Sequence, residues 1–372
     1  MKIAVNTRLL LKDRLEGIGW VEYETLRRMV KNHPEAEFFF LFDRQPDPKF
    51  IFGDNVKPIV LFPQARTSLL FIWFFELSVA RALSKIKADI FFSPDGYLSL
   101  RSKVPQVVEF HDLSFEHYPA DIPYKYLWHY KKFFPRFARK AKRIVTVSEF
   151  SKQDIVDCYG VDPAKIDVAY NGVNEIFKPL PEDDIQEIRM KYSGGHPYFM
   201  FVGSLHPRKN LARLFTAFDR FKQRNQNDVK LVIVGEKRWW TEPIQKAYDA
   251  MGCKEDVIFT GRLSAEDLHR VTAAALASVY VSYFEGFGIP ILEAFKCDTP
   301  VITSNVSSMP EVAQDAALLV DPFSEDSIAD AMAKVLDENT RQELIVKGRE
   351  RAKAFSWDLA AEVIWNSLMK TI

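Results

Sequence analysis

The sequence predicts an α/β protein made of two Rossmann-like domains that face each other across a cleft. Three observations carry this. The chain has 372 residues, more than one hydrophobic core usually serves. Short apolar runs rich in Val, Ile and Phe alternate with helical patterns along the chain, as in βαβ units. Three times a strand-like run meets a glycine turn and then a helix, the way a Rossmann-like unit opens. These places begin at Lys2, Tyr198 and Val279.

In the first half, Lys2 to Asn6 reads as a buried strand, followed by the glycines Gly17 and Gly19 in a loop and a helical pattern through Leu26, Met29 and Val30. Trp20, Val21 and Glu22 follow Gly19, so the third glycine of a dinucleotide fingerprint is missing. The two glycines fit a tight turn, or a loop that lets a ligand approach. Glu37 to Phe42, Pro58 to Phe62, Ala88 to Ser93, Val107 to Phe110 and Arg143 to Ser148 read as further strands. Thr67 to Leu83 reads as a packed helix, with an exposed apolar face as the alternative. His111 and Asp112 lie just past a strand's carboxyl end, where α/β sheets line their ligand crevice. A histidine there can bond a transferred group, although a lone histidine is often structural.

Tyr124 to Arg143 holds eight Lys or Arg, no Asp or Glu, and seven aromatic residues, with Pro135 expected to break or kink it. Two readings stay open: a helix that lies on an anionic membrane surface, and a core helix with a solvated basic face. Ser148 is a good N-cap for the next helix.

Phe177-Lys-Pro-Leu-Pro-Glu-Asp-Asp is Pro-rich and charged and reads as an interdomain linker. This places the first domain at 1–178, the second at 190–354 and a final helix at 355–372. In the second half, Tyr198 to Val202, Lys230 to Val234, Val257 to Thr260, Val301 to Thr303 and Ala317 to Val320 read as strands. Gly203 opens a loop carrying Arg208 and Lys209, a planar fork and a point charge, after the first of them. Gly235 follows the second strand and Arg262 the third. Ser308-Met-Pro-Glu311 has a cap-like pattern at a helix start.

The chain is organised around residues 278–295. Val279 to Tyr283 reads as a strand, Phe284 to Ile289 as a loop holding Gly286, Phe287 and Gly288, and Pro290 as the first residue of a helix. Backbone N–H groups at a helix N-terminus receive anions. Glu285 in the loop and Glu293 one turn into the helix can face one pocket and accept hydrogen bonds from paired hydroxyls. A sugar and a ribose joined by a diphosphate would satisfy one glutamate, the amides and the other glutamate. Taken alone, Glu-Gly-Phe-Gly also fits an ordinary crossover with solvated carboxylates.

Phe-Glu-Gly-Phe-Gly-Ile-Pro-Ile-Leu-Glu-Ala, with Glu285 and Glu293 eight apart, closely resembles the E-x7-E signature of retaining glycosyltransferases of family 4, which have the GT-B fold. His111-Asp-Leu, Pro207-Arg-Lys-Asn, Pro300-Val-Ile-Thr-Ser-Asn and Met309-Pro-Glu-Val are similar to further motifs of that family, most of all its mannosyltransferase branch. The resemblance implies a nucleotide-diphosphate sugar as donor, GDP-mannose first and UDP-sugars as the alternative. It also implies, as acceptor, a glycan or a lipid-linked saccharide of surface polysaccharide synthesis. It implies catalytic roles for His111, Arg208, Lys209 and Glu285. Donor contacts fall to Gly17, Gly19, Gly203, Gly235, Arg262, Gly286, Phe287, Gly288 and Glu293. The last helix is expected to pack back on the first domain.

Breaking a sugar–phosphate bond leaves charge on the diphosphate, which fixed cations or a metal must hold. The chain has no D-x-D motif, so no metal and no cofactor are expected. A GT-B epimerase or hydrolase and a non-catalytic nucleotide-binding module remain as rivals. Lys+Arg and Asp+Glu both number 50, so net charge gives no reason to expect a nucleic-acid partner. Three scattered cysteines with no C-x-x-C suggest neither a disulfide framework nor a zinc site. With no signal-like start and no long apolar run, the expected place is the cytoplasm or the inner face of the membrane.

Overall fold

The computed structural model describes residues 1–12, 15 and 17–372, and all their side chains except that of Arg238. Two compact units emerge: Met1–Asn171 together with Ser356–Ile372, and Gly172–Phe355. Each is a wholly parallel sheet wrapped by helices, as the sequence predicts. Strands buried on both faces read as unbroken apolar runs, and for this reason they were legible.

The first unit holds seven strands: β1 Lys2–Asn6, β2 Glu37–Phe42, β3 Val56–Val60, β4 Ile90–Ser93, β5 Gln106–Phe110, β6 Arg143–Thr146 and β7 Ile166–Val168. Their spatial order is β3-β2-β1-β4-β5-β6-β7. The order reverses between β1 and β4, and such a switch point opens a crevice at the carboxyl ends of the strands. One core lies on each face of the sheet. The helix Trp357–Met369, capped by Ser356 accepting from the Asp358 amide, packs on the helix Gly17–Asn32. Arg28 bonds Asp358 at 2.9 Å, Trp365 stacks on His33, and Lys370 reaches Asp167 at 3.1 Å. The last helix therefore belongs to the first unit.

The second unit holds six strands: β8 Tyr198–Val202, β9 Lys230–Val234, β10 Val257–Gly261, β11 Ala277–Tyr280, β12 Val301–Ser304 and β13 Leu318–Val320. Their order is β10-β9-β8-β11-β12-β13, with the switch between β8 and β11. The Pro-rich stretch after Asn171 packs on this unit. The Lys178 carbonyl is 2.8 Å from His269 Nε2, and Phe177 meets the His269 ring edge-on.

Local rules were overruled in several places. Gly17 and Gly19 are not in a loop; they are the first and third residues of the helix Gly17–Asn32. A Cβ on Gly19 would lie 3.0 Å from the Leu9 carbonyl oxygen, so its bare backbone permits close packing. Pro135 neither ends nor splits its helix, which runs Tyr124–Lys140. Burying Phe133, Phe134, Phe137 and Ala138 outweighs the lost backbone bond. The stretch expected as one packed helix is Ser68–Trp73, then a π-turn segment at 74–79, then Ala80–Ile86. No helix among the described residues is long and apolar enough to cross a membrane.

Candidate active site

β8 and β11 lie side by side at the second sheet's switch point, with Ala277 opposite Phe199 and Ser278 opposite Met200. The loops leaving their carboxyl ends are therefore neighbours. After β8, Gly203 turns the chain with its N–H on the Val234 carbonyl, and a single helical turn, Pro207–Lys209, follows. Asn210, at φ 66°, then starts the helix Leu211–Asn225. Its side chain is nailed in place, donating to the Val281 carbonyl at 3.0 Å and the Pro322 carbonyl at 2.7 Å. After β11, Phe284 to Gly288 form the loop and the helix Ile289–Lys296 begins, with Gly288 as N-cap at φ 107°. Pro290 is the second helical residue, one later than expected.

These two loops bring Arg208, Lys209 and Glu285 together. Arg208 Nη1 donates to Glu285 Oε2 at 2.8 Å and to the Phe284 carbonyl at 3.1 Å. Lys209 Nζ donates to Glu285 Oε1 at 2.6 Å and to Tyr280 Oη at 2.7 Å. The lysine and glutamate side chains are 10% and 8% exposed. Burial pushes the Glu285 carboxyl up, but the two cations outweigh it and hold it down at about 2. Two cations share one carboxylate, so the cluster carries a net positive charge.

Glu293 has a different setting. It lies one turn into the helix Ile289–Lys296, and burial alone raises its carboxyl to about 7. Desolvation thus favours its neutral form, the opposite of what the cations do at Glu285.

The glycine loops of neighbouring strands are stitched in sequence. The Gly203 N–H bonds Val234, and the Gly235 N–H bonds Gly261 at 2.9 Å. Gly235, at φ 154°, must be glycine, because a Cβ there would come 2.0 Å from the Gly203 oxygen. Arg262 is exposed just beyond Gly261.

Sequence reasoning missed Tyr280, Ser307 and Ser308. Tyr280 was taken as a strand residue; its hydroxyl lies under Lys209, and burial raises its ionisation well above the ordinary range. Ser308 was expected as a cap, but its side chain caps nothing. It donates instead to the carbonyls of Glu285 at 2.8 Å and Phe287 at 3.0 Å, while Ser307 Oγ accepts from the Glu285 N–H at 3.2 Å. Only the fold shows that these serines brace the Glu285 loop. His206 was also missed: its ring accepts from the Arg208 N–H at 3.3 Å and meets Trp239 edge-on.

In the first unit, His111 follows β5 with Nε2 2.8 Å from the Pro94 carbonyl and Nδ1 3.8 Å from Glu109. A polar group unread in the sequence surrounds this switch point. Arg8, two residues past β1, pairs with Asp95, two residues past β4, at 2.5 Å, and its guanidinium lies against the rings of Phe71 and Tyr97, which stack on each other. Glu22 is buried and neither carboxylate oxygen has a hydrogen-bond partner among the described residues; burial first, then Asp95 and Glu109, raise it well above the usual range. The position of Arg8 and Asp95 beyond strand ends was the signal that could have found them.

Two family models match the chain: "Glycosyl transferases group 1" over residues 184–351 and "Glycosyltransferase Family 4" over 15–176. The chain is 32% identical over 282 residues to O-antigen chain mannosyltransferase B of Escherichia coli, covering 75% of this chain and 74% of that protein. It is 31% identical over 231 residues to O-antigen chain mannosyltransferase RfbU of Salmonella typhimurium, covering 62% and 60%. Among solved structures it is similar in fold to WaaG, a glycosyltransferase involved in lipopolysaccharide biosynthesis, with a TM-score of 0.75, 17% identity and coverage of 98% and 99%. Anabaena HepE in complex with UDP and glucose gives a TM-score of 0.76 at 17% identity, covering 100% of both chains.

Proposed function

The chain belongs to the group 1, family 4 glycosyltransferases of the GT-B class, and from that premise we propose that it transfers mannose from GDP-mannose, with retention, to a growing surface polysaccharide or lipid-linked saccharide. The observation that carries this reading is the Arg208–Glu285–Lys209 cluster at the β8/β11 switch point. A donor diphosphate placed there would meet two cations already aimed by a shared carboxylate. As the C1–O bond to the diphosphate breaks, the added charge on the leaving oxygen falls to Arg208, Lys209 and the amides of Gly286, Phe287 and Gly288. That charge therefore has protein carriers and requires no metal in this reading.

Glu285 holds the cations and meets hydroxyls of the sugar; Glu293 meets the ribose. Gly203, Gly235 and Arg262 border the nucleotide. For His111, just past β5, a role at the reacting centre rests on the family resemblance of His111-Asp-Leu alone. The acceptor oxygen bonds C1 on the face the diphosphate leaves, and its proton passes to the departing phosphate oxygen. Gly17 and Gly19 now stand as the opening of a helix, so any donor contact there is through its first N–H groups.

Mannose is favoured because the relatives above are mannosyltransferases. The test is a donor panel, GDP-mannose against UDP-sugars, scored by nucleotide release with and without a mannose-terminated acceptor and with EDTA. Acceptor-dependent GDP release that survives EDTA supports the reading. Preference for a UDP-sugar moves the donor, acceptor-independent release points to a hydrolase or epimerase, and binding without release points to a non-catalytic module.

The membrane reading is also carried forward. On the helix Tyr124–Lys140, Lys125, Trp128, Lys132, Arg136 and Arg139 recur at helical spacing and are all exposed, while the opposite face is core. Beside it, Ser68 bonds the Lys125 carbonyl, and Leu69 and Trp73 are 76% and 52% exposed. Cations with exposed aromatics suit an anionic bilayer. Sedimentation with anionic vesicles, abolished by salt, is expected; no binding at low salt ends this part.

A further inference from the structure

A second cluster, of other residues, lies in the first unit. The helix Ser114–His117 ends on His117, close to the helix Glu149–Tyr159. Asp154 and Cys158 are four apart on that helix and so share a face. The three side chains converge: His117 Nε2 is 2.6 Å from Asp154 Oδ1, Cys158 Sγ is 3.5 Å from the same oxygen, and Sγ is 4.0 Å from Nε2. All the candidate donor atoms lie within 4.8 Å of one another.

We propose that His117, Asp154 and Cys158 form a zinc site with a fourth position open to water. A nitrogen, a carboxylate oxygen and a thiolate are the donor set of a borderline divalent ion, not of Mg²⁺ or Ca²⁺. Tetrahedral zinc with bonds of about 2.0–2.3 Å needs its ligands roughly 3.3–3.6 Å apart. Two of the three separations are within about half an ångström of that range, and the third opens by less than an ångström when the His117–Asp154 hydrogen bond gives way. The His117 side chain is 41% exposed, which leaves the last position to solvent. Glu116 and Asp157 lie near enough to act on Cys158 and add a negative field that draws in a divalent cation.

The bookkeeping is simple. Zinc bonds to Nε2, an Asp154 oxygen and Sγ; the thiol proton goes to buffer, and the imidazole carries its remaining proton on Nδ1. No electron is transferred. The helix ending at His117 follows His111 and Asp112 directly, so the ion would clamp that segment to the helix Glu149–Tyr159. The site is independent of the donor and acceptor assignments.

The test uses the full chain, stripped of metal and titrated with Zn²⁺, then with Co²⁺ as a spectroscopic probe. About one equivalent of sub-micromolar Zn²⁺, proton release in buffers of differing ionisation enthalpy, and a Co²⁺–thiolate absorption band are expected. Cys158→Ser and His117→Ala should each weaken binding roughly 10-fold or more and abolish the zinc-dependent rise in melting temperature. Cys253→Ser should change nothing. Absence of binding at tens of micromolar, or binding unaltered in both ligand variants, would overturn the site.

Discussion

Glu285 and Glu293 are eight residues apart, on the two sides of one loop, yet the fold treats them as opposites. Glu285 is buried against two cations and held down at about 2; Glu293 is half-buried, and desolvation alone pushes it up to about 7. The first is a fixed anion whose task is to hold Arg208 and Lys209. The second is a carboxyl that desolvation holds toward its neutral form. Residue type is the same in both, so it is the partners that decide the role.

The largest effect should come from removing the anchor. Glu285→Ala leaves Arg208 and Lys209 without their shared anion and should destabilise the second unit by about 3–5 kcal/mol, read by urea unfolding. Loss below 1 kcal/mol would mean that the cluster is not held as drawn. Next, Arg208→Ala or Lys209→Ala should lower kcat/KM by about 2–4 kcal/mol of transition-state stabilisation. Turnover near that of the wild type in both variants rules out their assigned role.

The pH arms sharpen the contrast, because the signs differ. The folded Glu293 value lies above the ordinary 4.5. Its contribution is therefore complete below that value and lost as pH rises through about 7, by at most ~3 kcal/mol. Glu293→Gln should flatten the decline of stability from pH 5 to 8 and weaken nucleotide binding; an unchanged nucleotide Kd argues against the ribose contact. Glu285 behaves the other way: its contribution stands above the ordinary carboxylate range and is lost as pH falls toward about 2. The smallest change is Ser308→Ala. Losing the donors to the Glu285 and Phe287 carbonyls should cost about 1–2 kcal/mol, seen as a lower melting temperature and a modestly raised KM for the donor.

Legibility followed the range of the forces involved. β8 and β9 were read to the residue, since a strand buried on both faces writes itself as a continuous apolar run. Ser148 reads as a helix N-cap, and it accepts from the N–H three residues on. Where the deciding contact was distant, local rules failed. The Ser308 pattern says cap, but its partners sit 23 and 21 residues away. Tyr280 reads as strand, yet its hydroxyl serves a lysine 71 residues earlier. The Gly17–Gly19 pair says loop, yet both lie in the helix Gly17–Asn32, where the bare backbone of Gly19 lies close to the Leu9 carbonyl.

By itself the sequence determined the alternation of strands and helices, the division into two α/β units, and the motifs that identify the family. These rest on apolar periodicity and on residues close together in the chain. Only the tertiary structure decided that one carboxylate holds both cations while its neighbour stays uncompensated, that Pro135 is tolerated, and that Arg8, Glu22 and Asp95 meet at a strand switch. Each of those outcomes depends on burial and charge contributed by segments far apart in sequence, and no local pattern encodes them.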